Sequence, residues 1–184
     1  MKKEDLRVLK TKKTLKDQFK KMLLEKDYDE ITVKDLCEKC FINRRTFYLH
    51  YSSLENILEE IQKEYALEFY NRIKDFDHIK EIDRTIREYF MYSEEKGLIF
   101  EKININPDFD YIRLRLVNMV ANMSRDNFKS IDQYDIFTRN IILTFVNVAT
   151  VNSYREWIKS GRKLSMDSVI HLTVQLVKNG VSSL

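Results

Sequence analysis

Glycine and proline are nearly missing from this chain, which has three glycines and one proline in 184 residues. Short strands joined by tight hairpins depend on both residue types, so sandwiches and barrels are excluded, and so is a glycine loop cradling phosphates. Long apolar runs are missing too. No stretch approaches the ~20 residues of a membrane span, and the basic start lacks the apolar stretch of a signal peptide, so a soluble cytoplasmic protein is expected. Cysteine is limited to Cys37 and Cys40. Their C-x-x-C spacing has no second Cys/His pair nearby to complete a metal site and no βαβ context for redox chemistry, which leaves two small buried residues of a helix and its following turn. His78 and His171 lie far apart without an acidic partner at ligand spacing, so no metal and no cofactor is expected. No nucleophile with a base stands out either, and the chain is not read as an enzyme.

What remains is 43% apolar and 33% charged, in a length that buries roughly 70% of its unfolded surface. These values fit an all-α protein. The charge is uneven. Residues 1–53 carry 14 Lys+Arg against 9 Asp+Glu, or +5, whereas residues 54–184 carry 18 against 20, or −2. A positive front suits an acidic partner, of which nucleic acid is the usual one, although a solvated lysine-rich helix has the same signature.

Leu15, Phe19, Met22 and Leu23 follow helical spacing and predict a first helix over about 5–26. Thr32, three residues before Asp35, predicts the N-cap of a short helix ending near Lys39, with Leu36 and Cys37 inward. Asn43 caps a further short helix, and Ile42 and Phe47 occupy the two positions of a hydrophobic staple. Ser53 caps a long helix reaching about residue 74, with Leu54, Ile57, Leu58, Ile61 and Tyr65 on one stripe. Later helices are expected over 78–96, 98–104, 108–130, 134–159 and 165–182, separated by Gly97, Asn106-Pro107, 130–133 and Ser160-Gly161. No flexible tether interrupts the series, so the long helix is shared by the two functional parts.

Between residues 40 and 51 the chain reads CFINRRTFYLHY. Helical spacing turns Phe47 and Tyr51 inward and puts Arg45, Tyr48 and Leu49 together on another face, with Arg44 beside them. Two short helices with arginines at the start of the second form a helix-turn-helix able to enter the major groove. Arg44 and Arg45 are candidates to pair with guanine O6 and N7. Thr46, Tyr48 and His50 can donate to phosphates, and the start of the preceding helix at Thr32 and Lys34 offers another phosphate position. A pair of solvated arginines beside packed aromatics fits the same pattern.

The run ITVKDLCEKCFINRRTFYLHYSSLENIL resembles the DNA-binding region of the TetR family of bacterial transcriptional regulators. Its T-F-Y-L-H-Y signature, polar cap and I-T-V-x-D-L lead-in stand at that family's spacing, and the likeness covers roughly residues 10–62. The resemblance implies a three-helix DNA-binding domain over 1–53 and a helical effector-binding and dimerisation domain over 54–184. It assigns Thr32 and Lys34 to the supporting helix, and Asn43, Arg44, Arg45, Thr46, Tyr48 and His50 to the cap and DNA-facing helix. Two positions depart from the family. Phe41 stands where glycine is usual, and a left-handed backbone there is costly for it. Leu54 stands where the family often has a lysine that contacts phosphate, so that contact is either missing or supplied by Ser53 and the helix start.

Residues 136–158 are apolar around much of the helix circumference, which requires burial on most sides. The same pattern fits a monomer core. Beside a helix-turn-helix, a two-fold dimer on a palindromic operator gains weight, and the TetR resemblance implies a homodimer through the last two helices. Candidate interface residues are Ile141, Phe145, Val148, Val169, Thr173 and Leu176. Tyr65, Phe69, Tyr89, Tyr92, Phe100, Met119 and Met123 are candidates for lining an effector site, suiting a small apolar or aromatic ligand, and an ordinary bundle core uses the same residues. The leading reading is a repressor of a palindromic double-stranded DNA operator, released by a small effector. The alternative is a DNA-bound co-activator or adaptor whose bundle docks a protein partner.

Overall fold

The computed structural model describes residues 3–77, 79–123, 131 and 133–181, and within these it is helical with no strand. The chain forms two compact units, Met1–Lys63 and Glu64–Leu184.

The first unit begins with α1 (Lys3–Glu25), followed by α2 (Val33–Lys39), α3 (Arg44–Tyr48) and the start of α4 (Leu54–Ile73). Leu15, Phe19, Met22, Leu36, Phe47, Ile57, Leu58 and Ile61 are fully buried, so each helix gives its apolar face to one small core. The helix starts are fixed by side chains. Asp35 N–H donates to Thr32 Oγ1 at 3.1 Å and Thr32 N–H to Asp35 Oδ2 at 3.4 Å, a reciprocal capping box. Thr46 N–H donates to Asn43 Oδ1 at 2.7 Å, and Asn56 N–H to Ser53 Oγ at 3.3 Å. Glu60 on α4 accepts from Lys12 at 2.8 Å and Lys16 at 2.9 Å on α1. The first half of α4 therefore belongs to this unit. The compact units divide inside α4, where Ile57, Leu58 and Ile61 are buried in the N-terminal unit and Glu60 reaches α1.

The second unit continues α4 and adds α5 (Ile82–Ile105), α6 (Asp110–Met123), α7 (Ile136–Lys159) and α8 (Met166–Val181). α5 packs against α7 and α8, and α6 against α7. The expected break at Gly97 is real: its φ of 68° and ψ of −159° interrupt α5. Asn106 caps the short turn at Pro107 before α6, and Asp135 accepts from Phe137 and Thr138 N–H groups at the start of α7. The stretch 124–130 of the helix predicted over 108–130, and His78, lie outside the described residues. No described helix is long and apolar enough to cross a membrane.

Candidate functional site

α2 and α3 are held by a turn with a specific hydrogen-bond pattern. Phe41 N–H donates to Glu38 O at 3.2 Å and Ile42 N–H to Cys37 O at 3.0 Å, the paired closure of a Schellman motif. That closure demands a left-handed residue at position 41, and Phe41 adopts φ 55° with its ring 96% exposed. The turn keeps the geometry that glycine usually supplies.

With the turn fixed, Phe47 anchors α3 in the core, stacked edge-on against Tyr48 at 5.2 Å between ring centroids. Tyr51 is buried with it, and Cys37 and Cys40 are buried free thiols. The opposite side of α3 is solvent-facing: Arg44, Arg45, Tyr48 and Leu49 are exposed, with Thr46 and His50 half-buried. No ion pair engages Arg44 or Arg45 among the described residues, so both guanidiniums keep their full donor sets. Thr46 is partly committed, since its hydroxyl also donates to Asn43 Oδ1 at 3.0 Å. Asn43 and Thr32 act as caps. Lys34 is exposed and only loosely paired with Glu38, at 3.9 Å. Leu54 is buried, leaving Ser52 and Ser53 as the polar groups at the start of α4, and Ser52 is hydrogen-bonded to Asn56.

The aromatic candidates of the second unit come together, but as packing. Tyr65 meets Phe100 at 5.2 Å, Phe69 meets Tyr89 at 5.3 Å and Tyr92 at 5.5 Å, and Tyr92 meets Phe100 at 5.8 Å. Tyr92 donates to Tyr65 O at 2.8 Å, so its hydroxyl is satisfied by protein. Burial pushes the Tyr65 and Tyr89 phenols up to about 12. Met119 and Met123 instead border a depression whose lining among the described residues comes from α6, including Tyr111, Arg115 and Asn122.

A polar cluster lies between α6 and α7, with two buried arginines meeting an exposed Asp110, and none of its residues stood out in the sequence. Arg113 and Arg155 are 8% and 9% exposed, and both reach Asp110. Arg155 Nη2 donates to Asp110 Oδ1 at 2.9 Å and Nη1 to Asn152 Oδ1 at 3.1 Å, while its buried Nε–H has no acceptor among the described residues. Arg113 donates to the carbonyls of Ile103 and Asn106, each at 3.3 Å. Burial, with the charge of Arg155 added, brings the Arg113 guanidinium down to about 10. The signal was present in the sequence. Arg155 sits in the apolar stripe of Val151, Tyr154 and Ile158, where a solvated arginine has no place.

Among the interface candidates, Ile141, Phe145 and Leu176 are exposed and Val148 is half-buried. Val169 and Thr173 correct the expectation. Both are buried within their own unit, with the Thr173 hydroxyl donating to Val169 O at 2.7 Å, because the inward stripe of α8 runs through Val169, Ile170, Thr173, Val174 and Val177.

Three similarities to known proteins bear on this geometry. Residues 20–61 match the model of a family described as bacterial regulatory proteins, tetR family. Over 95 residues the chain is 34% identical to YxbF, an uncharacterized HTH-type transcriptional regulator of Bacillus subtilis (strain 168); the match takes in 51% of this chain and spans 23% of that protein's length. The fold is similar to that of a TetR transcriptional regulator from Streptococcus agalactiae 2603V, with a TM-score of 0.65 and 18% identity over 95% of this chain and 97% of that one.

Proposed function

Because residues 20–61 carry the N-terminal region of the tetR family of bacterial regulatory proteins, a family of regulators and not of enzymes, we propose that this chain is a cytoplasmic homodimeric repressor of a palindromic operator. The observation that carries the reading is α3 itself. It presents two exposed arginines that no ion pair engages among the described residues, beside Tyr48, on a helix whose opposite side is locked by Phe47. Free guanidiniums at a helix start can pair bidentately with guanine, and the +5 charge of residues 1–53 favours the phosphate backbone around it. Thr46, Tyr48, His50 and Lys34 then contact phosphates and fix the register, while Thr32 and Asn43 hold the helix starts that aim them.

One short helix reads too few base pairs for a unique site, so two copies are required. The second unit supports this through Phe137, Ile141 and Phe145, which recur every fourth residue on α7, and Leu172 and Leu176 on α8. All five are exposed apolar side chains. Release by a small effector completes the proposal, with the effector held in the second unit.

The test is selection of genomic fragments by the purified chain at a stated salt concentration, followed by substitution of each arginine. Recovery of a palindrome bound by two chains is the expected result. Arg44→Ala or Arg45→Ala is expected to cost about 1–3 kcal/mol and relax base preference at one position per half-site. An equal loss on all sequences would reassign that arginine to phosphate, and recovery of no preferred sequence would overturn the reading.

A further inference from the structure

The cluster between α6 and α7 holds one carboxylate and two buried guanidiniums. Taking a charge out of water is expensive unless an opposite charge and full hydrogen bonding answer it. Asp110 answers one of the two. Arg113 spends its remaining donors on neutral carbonyls, Arg155 spends one on an amide, and Arg155 Nε–H meets no acceptor among the described residues. For bracing α6 against α7, a single Arg–Asp pair, or aliphatic packing alone, suffices. The second arginine leaves one positive charge and, among the described residues, one unpaired donor on a side chain that borders unfilled space.

That space exists. A cavity of about 190 Å³ is bordered by Asp110, Arg113, Asn152 and Arg155 on its polar side and by Leu114, Val117, Val148 and Val151 on the other. We infer that it is a binding site for a small aliphatic carboxylate, whose carboxylate group is held by Arg155 and Arg113 and whose hydrocarbon lies against Leu114, Val117, Val148 and Val151. The residual charge of one unit matches a monoanion. A phosphate dianion brings a second negative charge against Asp110 with nothing to balance it. The guanidinium fork fits a planar carboxylate in two parallel hydrogen bonds. A cavity of this modest volume suits a short-chain acid. That the acid acts as the effector rests on the regulator reading above; that it binds does not.

The test uses the full chain and sodium butyrate, with butyramide as the neutral isostere and inorganic phosphate as the dianion, titrated by calorimetry at constant ionic strength. Butyrate is expected to bind one per chain with Kd at or below about 1 mM, and the other two at least about tenfold more weakly, a gap of ~1.4 kcal/mol. Arg155→Met is expected to lose binding about tenfold or more while its thermal melt shows a folded chain. Val151→Phe fills the cavity without touching either charge and is expected to lose butyrate as well, which keeps the test decisive if Arg155→Met does not fold. Equal binding of butyramide, tighter binding of phosphate, unimpaired binding by Val151→Phe, or no butyrate binding overturns the site. Adding butyrate to the complex with a selected DNA fragment is expected to weaken it. Unchanged DNA affinity alongside calorimetric binding would remove the effector role and leave the site. Failure of the chain to select any DNA would instead remove the regulator reading alone.

Discussion

Phe41 sets two demands against each other. The hydrogen bonds that close α2 require a left-handed backbone, and a residue with a Cβ meets that requirement at a cost of about 1–2 kcal/mol. The end of α7 uses the same closure, with Gly161 N–H donating to Ile158 O at 2.8 Å and Arg162 N–H to Trp157 O at 3.0 Å, and there glycine takes the left-handed position. The exposed Phe41 ring gains little burial to offset the strain. Phe41→Gly is therefore expected to raise the urea midpoint by the equivalent of about 0.5–1 kcal/mol with an unchanged slope, after allowing for the unfolded-state freedom of glycine. A lowered midpoint would mean that the ring contributes contacts worth more than the backbone strain.

At the scale of elements, the Glu60 carboxylate of α4 joins two lysines of α1. Burial alone raises the Glu60 pKa, but the hydrogen bonds of Lys12, Lys16 and Tyr51 outweigh it and bring the group from 4.5 to about 2. A carboxylate depressed on folding contributes stability that is complete above its unfolded pKa and fades as pH falls through its folded one. Glu60→Gln is accordingly expected to destabilise the chain at neutral pH, and the gap to the parent is expected to close between about pH 4.5 and pH 2 in thermal melts. A gap independent of pH would show that Glu60 acts through packing and not through its charge. The lysines also keep positive charge on α1, so the same residues brace the unit and contribute to its basic potential.

The apolar face of the last two helices belongs to the scale of the whole molecule. α7 is apolar around most of its circumference, yet the chain by itself covers only part of it: Ile141 is 71% exposed and Leu176 on α8 is 63% exposed. A two-fold axis would set these patches against their own copies, as an isologous interface requires. Ile141→Asp is expected to shift the chain from dimer to monomer in sedimentation, with helical content retained, and to weaken operator binding together with it. A variant that stays dimeric would locate the contact elsewhere.

Much of this protein was determined by its sequence alone. The scarcity of glycine and proline dictated an all-helical chain, and Thr32, Asn43 and Ser53 marked helix starts because capping is local chemistry between residues three apart. The spacing of Phe47 and Tyr51 turned the arginines outward for the same local reason. Tertiary structure decided what depends on distant neighbours. It packed Tyr65, Phe69, Tyr89, Tyr92 and Phe100 against one another, turned Val169 and Thr173 into their own core, and carried the first turns of α4 into the N-terminal unit. It also brought Arg113 and Arg155, on different helices, to one carboxylate. Periodicity shows which face of a helix is apolar, whereas which helix meets that face, and which buried charges then find no counterpart, is settled only when the chain closes on itself.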